Sequence, residues 1–382
     1  MTATTSKPTT FDAIAFRRHL HQYPELSENE FNTATLIATQ LNAFGLSPIT
    51  GVGGHGVICI IEGQKSGPTT LFRADFDALP IEEKATHHHI SRHPGVMHAC
   101  GHDGHSTSLL KVAEALATTP PRNGRVILLF QPAEEVGTGA IAMLEHPALK
   151  NLTIDHTFAY HNLPGYPLHH VIIKPQTFAC ASTGVQIELV GKTSHAANPE
   201  NGINPTDVMI ELVQFLRTLP ARYPDAFSLV TVAHVQLGEH VFGVAPGDAK
   251  ILATLRSDHN PTFTNMKLTI QDKIEQIQRS SHLQVKLNWH EPFIAAVNDT
   301  EHYHIVKQQA NELGLTVSEL KEPMRWSEDF AEFLKRWPGA LFCIGSGEDH
   351  PQLHNPDYDF PDALIDTASR LFLSIIDSLH HH

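Results

Sequence analysis

Five short apolar runs, GVICIIEG, TTLFRADF, RVILLF, HTFAYHN and ALFCIG, recur along a chain whose intervening segments carry helical periodicity, and this alternation limits the fold more than any other feature. A strand that is apolar without interruption needs cover on both faces. Helices between such strands supply it. One helix is expected up to Tyr23, where Pro24 stops the pattern, and a second after Ser27 and Glu30, which have capping-box spacing. Further helices are expected at about Gly104–Ala117, Glu301–Leu313, Glu328–Trp337 and Asp362–Leu379. The fold class is therefore α/β, a doubly wound and mostly parallel sheet whose functional groups gather beyond the strand C-termini.

After Pro175 the pattern changes. VQIELVG, a helix at Pro205–Leu219, the strands FSLVTVAHV and KILATLR, a helix at Thr262–Arg279 and the strand QVKLNWHE read as a smaller α+β domain inserted into the first. Pro/Gly-rich edges near Pro164–Pro175 and at Pro292 mark its exits. The expected domains are residues 1–177 with 293–382, and residues 178–292. A length of 382 residues suits two cores better than one.

A formal net charge of −14, from 27 Lys+Arg against 41 Asp+Glu, excludes a phosphate-backbone binder. No apolar run approaches the roughly 20 residues of a membrane span. The four cysteines lack disulfide-framework spacing and MTATTSKPTT lacks a leader layout, so the expected compartment is the cytoplasm. His380, His381 and His382 are either native or the remnant of a purification tag, and are set aside.

The densest chemistry is in MHACGHDGH, where Cys100 and His102 place a thiolate and an imidazole two residues apart beside Gly101. Glu134 and Glu135 follow RVILLF, His161 ends HTFAYHN, and His354 lies in LHNP. Taken singly, an acidic pair, a strand-end histidine and a turn histidine are ordinary surface features. Four such places at one edge of one sheet point to a metal site. Cys100, His102, Glu135, His161 and His354 are more donors than one tetrahedral zinc needs, and suit two divalent ions sharing a bridge. Glu134, beside a ligand but outside the set, is placed to take a proton from water. The class of reaction is metal-assisted hydrolysis.

FRADFDALP, PGVMHACGHDGH, QPAEE, YHNLPG, GKTSHAANPENGINP, WSEDF and LHNPDYDFPD occur in an order that resembles the amidohydrolase branch of the aminoacylase and carboxypeptidase metallopeptidase family, which includes hippurate hydrolases and auxin-conjugate hydrolases. The resemblance spans about Phe16 to Leu373. It implies the same five ligands, with Cys100 as the bridge, and Glu134 as general base. It also implies that the inserted domain is a lid used for dimerisation, giving a homodimer or higher homo-oligomer. His195 matches a lid position that steadies the oxyanion, and Arg256 one that meets the substrate carboxylate. Asp77 and Asp103 are candidates to orient the site, with turn or helix capping as the alternative. His98 and His105 flank it. Glu328 and Asp329 read as an acidic pair at a helix N-terminus.

One departure stands out: Gly243-Val244-Ala245-Pro246 occupies the place where the family usually has Asn-Val-Ile-Pro. The expected substrate is an N-acyl amino acid or similar small amide, cleaved with two ions drawn from Zn, Mn, Ni or Co. A dipeptidase or carboxypeptidase on the same scaffold, and a catalytically silent metal-binding relative, are the alternatives.

Overall fold

The computed structural model describes residues 11–381. The N-terminal stretch read for a leader, residues 1–10, and His382 lie outside the described residues. Two compact units form. The larger takes the described residues up to Gln176, Val297–Lys321 and those from Glu332 onward; the smaller takes Thr177–Ala296 and Glu322–Ala331. Sequence reading assigns 322–331 to the larger domain. In the structure the backbone bonds this stretch to the smaller one: Cys180 N donates to Met324 O (3.0 Å) and Trp326 O (3.1 Å), and Met324 N to Phe178 O (2.7 Å).

The larger unit is built on an eight-stranded sheet. Its centre is a parallel block in the order Asn123–Gln131, Lys65–Asp75, His156–Leu163 and Gly339–Gly345. Gly56–Glu62 and Ile49–Val52 extend one side in antiparallel fashion, and Val171–Ile173 joins Gly339–Gly345 antiparallel on the other. Val126 to Phe130 are fully buried, successive side chains facing opposite sides of the sheet, which is why these strands read as unbroken apolar runs. Because the central strands run the same way, Gln131, Asp75, Leu163 and Gly345 all finish at one edge.

Helix Ala363–His380 packs against helix His102–Thr118 and the central strands, and its Phe372 ring meets Phe72 at 4.8 Å and Tyr160 at 5.7 Å between centroids. Emptying such a site by Phe372→Ala costs about 3–5 kcal/mol. His380 belongs to this core. It is buried, its Nδ1 donates to Asn123 O (2.7 Å), and Thr70 Oγ1 lies 2.9 Å from its Nε2. The tag-like C-terminal histidines therefore begin inside the fold.

The expected capping box does not form. Helix Phe31–Ala43 starts only after Glu28, whose φ of 68° breaks the helical path, so Glu30 stands at the N-cap rather than three residues inside. Glu25 satisfies the first turn instead, accepting from Asn32 N (3.1 Å) and Thr33 N (2.7 Å).

The smaller unit is an antiparallel sheet in the order Ser228–Leu237, Asp248–Ser257, Ala181–Val190, Gln284–Phe293. Helices Thr206–Thr218 and Asn260–Ser280 cover one face, against which Val185, Ile187, Leu189, Ile251 and Leu255 are buried. Its core is thus separate from that of the larger unit. Among the described residues no helix is long and apolar enough to cross a membrane.

Candidate metal centre

The edge where the parallel strands finish receives the acidic and imidazole side chains. Strand Lys65–Asp75 delivers Asp75 and, two residues on, Asp77; the turn after Asn123–Gln131 delivers Glu134 and Glu135; His156–Leu163 delivers His161. Gly101, at φ 96°, turns the chain between Cys100 and His102 into the helix that begins at His102. A Cβ at Gly101 would fall inside the Asn162 side chain, so only glycine fits there.

Cys100 stands in two donor groups, one with His102 and His161 and one with Glu135 and His354; His102, Glu134 and Glu135 form a third. Within each group the donor atoms lie within 4.8 Å of one another. Cys100 Sγ is 3.3 Å from His161 Nε2, His102 Nε2 is 3.8 Å from Glu135 Oε1 and 4.0 Å from Glu134 Oε2, and His354 Nε2 is 3.7 Å from Glu135 Oε1. His354 is held by its own backbone. At φ 64° it adopts a conformation uncommon for a non-glycine residue, and its N–H donates to Ala99 O (2.8 Å), beside Cys100.

The hydrogen bonds around the cluster fix which imidazole nitrogens face it. His102 Nδ1 donates to Asp77, 3.0 Å from its carbonyl and 3.2 Å from Oδ1, leaving the Nε2 lone pair for the site. His161 Nδ1 donates to Asn162 O (2.7 Å), again leaving Nε2. Burial and the neighbouring His105 hold the His161 pKa well below the ordinary value, so its ring is neutral. For His102 burial opposes the charge, yet Asp75 and the hydrogen bond to Asp77 raise it to about 10, so Nε2 carries a proton that a bound cation would displace. Burial pushes Glu135 up to about 8 against the opposing pull of His102, with Asp77 adding to the rise.

The donor set fits a metal on a direct structural test. His102 Nε2 and Glu135 Oε1 are buried and have no hydrogen-bond partner, a costly arrangement for two polar atoms 3.8 Å apart. A cation between them removes that cost. The mixture of thiolate, imidazole and carboxylate is borderline-soft chemistry that suits zinc and its first-row neighbours.

The other sequence candidates fall as follows. Asp77 orients two ligands, since its Oδ2 also accepts from Glu135 N (3.0 Å) and Ser27 Oγ (2.7 Å). Asp103 does not orient His102; it accepts from His21 and Arg17 and from Gly104 N. His105 joins Asp75 Oδ1 and Asn162 Oδ1, each at 2.6 Å. His98 is buried with neither ring nitrogen paired. Glu328 accepts from Phe330 N (3.2 Å) just before the short helix Ala331–Arg336.

His195 and Arg256 lie in the smaller unit. His195 is exposed and its Nδ1 accepts from Ala197 N (3.0 Å). Arg256 donates to Arg325 O (2.7 Å). Gly243 stands in open space beside the fully exposed Phe242. Sequence reasoning missed Ser27, Glu30, Asn162 and Tyr358, which hold the cluster from behind: Asn162 Nδ2 donates to Tyr358 OH at 2.5 Å, and Ala133 N, just before Glu134, donates to Glu30 Oε1 at 2.7 Å. YHNLPG and LHNPDYDFPD contain Asn162 and Tyr358, but nothing in either stretch says that the two side chains meet.

Comparison with known proteins gives concordant results. The description "Peptidase family M20/M25/M40" matches residues 71–378. N-acetyl-L-cysteine deacetylase of Bacillus subtilis is 34% identical, over 93% of this chain and 85% of its own. Hippurate hydrolase of Campylobacter jejuni is 31% identical over 94% of both chains. Among solved structures, an aminohydrolase described as putative, from methicillin-resistant Staphylococcus aureus, superposes with a TM-score of 0.86 at 29% identity, covering 96% of each chain. A dinuclear metal-binding peptidase of Bacillus subtilis gives 0.81 at 26%, covering 97% of this chain and 98% of its own.

Proposed function

The chain belongs to peptidase family M20/M25/M40, and from that premise we propose that it is a binuclear metal-dependent amidohydrolase that cleaves N-acyl amino acids. The observation that carries this reading is the pair of buried, unpaired donors, His102 Nε2 and Glu135 Oε1, at the edge where the parallel strands finish. Cys100, His102, Glu135, His161 and His354 would hold two ions, Cys100 being common to two of the donor groups. When bound, the ions acidify a water molecule and polarise the scissile carbonyl.

The remaining steps belong to side chains of this protein. Glu134, almost fully buried beside Glu135, takes the proton of the attacking water and returns it to the leaving nitrogen, so the amide C–N bond breaks to give a carboxylic acid and an amine. Asp77 keeps His102 in the tautomer that presents Nε2. His195 steadies the oxyanion by donating a hydrogen bond, and Arg256 receives the substrate carboxylate. The smaller domain, residues 178–292, serves as lid and as the dimer contact, and the enzyme works in the cytoplasm on small molecules.

Glu134→Gln tests the assignment. It should retain the metal content of the parent while turnover of acetyl- and benzoyl-amino acids drops by roughly 100-fold or more. Full activity in this variant would remove Glu134 from the mechanism, and hydrolysis of dipeptides in preference to acyl-amino acids would make the protein a peptidase instead.

A further inference from the structure

The stretch Thr86-His87-His88-His89 takes no part in the centre described above, yet two of its imidazoles meet a second set of donors: His87, and His89, whose Nε2 lies 2.9 Å from Asp359 Oδ2. His87 Nε2 lies 3.1 Å from Glu83 Oε1, and His21 Nε2 lies 3.2 Å from the same oxygen. Asp359 Oδ2 is 3.9 Å from His87 Nε2. One donor atom from each of His21, His87 and Asp359 lies within 4.8 Å of the others. For a tetrahedral ion with bonds of about 2.0–2.1 Å to nitrogen and oxygen, neighbouring donors stand roughly 3.3 Å apart. These spacings bracket that value.

Three further observations point to a cation rather than to a closed hydrogen-bond network. Both ring nitrogens of His87 are shielded from solvent and make no hydrogen bond, although Nε2 is within contact distance of the Glu83 carboxylate. Two lone pairs converging on one ion produce that geometry; a donor and an acceptor facing each other do not. Secondly, His21 Nδ1 is engaged by Asp103 Oδ2 at 2.9 Å, an arrangement that orients a histidine to bind metal through Nε2; a metal there would take the place of the proton that Nε2 now shares with Glu83 Oε1. Thirdly, the carboxylates of Asp103, Asp359 and Asp362 gather around one fully buried guanidinium, Arg17, with the half-exposed Arg18 covering Asp362 from outside, and Glu83 adds a fourth carboxylate on the far side of His21. That leaves negative charge for a divalent ion to neutralise.

We propose that His21, Glu83, His87 and Asp359 form a further site for one divalent transition-metal ion, zinc by the chemistry of its donors, distinct from the centre around Cys100. It shares no ligand with that centre. Its role is structural: the ion ties the loop carrying His87 to helix Ala13–Gln22 and to the segment of Asp359, five residues beyond His354, while Asp103, the residue after His102, holds its ligand His21.

The test counts metal. Protein carrying His381→Ala and His382→Ala, which silence the terminal imidazoles, is stripped with chelator, reloaded with zinc alone, desalted and measured by inductively coupled plasma mass spectrometry. Adding His87→Ala, or separately Asp359→Asn, should lower the content by one ion per chain. The difference is read against the parent, so it holds whatever the Cys100 centre contains. An unchanged count overturns the proposal and leaves a network filled by protons. In case the variants fold poorly, anomalous scattering at the zinc edge from crystals of the unsubstituted protein supplies a second measurement. A peak about 2 Å from His87 Nε2 supports the site, and a flat map there at saturating zinc overturns it.

Discussion

Asp77 shows how one side chain can govern a metal centre without being a ligand in it. One carboxylate oxygen holds His102 Nδ1 and the other holds the backbone N–H of Glu135, so the two donors facing each other at 3.8 Å are aimed from one point. Removing such a partner typically weakens metal affinity by 10–100-fold. Asp77→Ala should therefore raise the zinc dissociation constant by about that factor in a chelator competition, with the far-ultraviolet spectrum unchanged. An unaltered constant would reduce Asp77 to a turn residue. At this scale the sequence was legible where chemistry is unusual, as with Cys100 beside His102, and where strand ends collect carboxylates, as with Glu134 and Glu135. It was illegible where the role depends on a partner far along the chain. Ser27 meets Asp77 across 50 residues and Asn162 meets Tyr358 across 196, and neither residue type is distinctive.

Among elements, helix Phe31–Ala43 shows a local rule overruled by tertiary structure. Ser27 and Glu30 have capping-box spacing, yet both serve the site: Ser27 donates to Asp77, and Glu30 receives the N–H of Ala133, whose φ of 51° turns the chain toward Glu134. Burial, with Asp77 nearby, raises the Glu30 pKa from 4.5 to about 7. A carboxyl group whose folded pKa is raised contributes stability that is complete below its unfolded value and is lost as pH rises through the folded one. Chelated protein should accordingly lose on the order of 2 kcal/mol between about pH 4.5 and 7 from this group, and Glu30→Gln should flatten that part of the profile. The comparison is made through urea midpoints across pH. Parallel profiles for the two proteins would show that Glu30 exchanges no proton in this range. The strands behaved differently from the helix start. RVILLF and ALFCIG are buried on both faces, so their apolar continuity reports their place in the sheet directly, whereas a cap depends on which acceptor arrives first.

For the whole molecule, the insertion was legible because composition and periodicity change after Pro175 and return after Pro292. The return of 322–331 to the smaller unit was not, because it rests on backbone bonds to Phe178 and Cys180 that carry no side-chain signature. Each unit has its own buried core, and every proposed metal ligand lies in the larger one. Ions that bind the folded state alone stabilise it by mass action, about 4 kcal/mol when free metal exceeds the dissociation constant 1,000-fold. For a unit of this size each kcal/mol moves the melting temperature by about 2–4 °C. Scanning calorimetry with and without chelator should therefore show a transition that drops by roughly 10 °C on metal removal and another, from the smaller unit, that stays in place. Chelation of Glu134→Gln should produce the same shift, since that variant keeps its ligands. A single transition moving as a whole would instead mean that the two cores unfold as one cooperative block, with metal binding in the larger unit stabilising both.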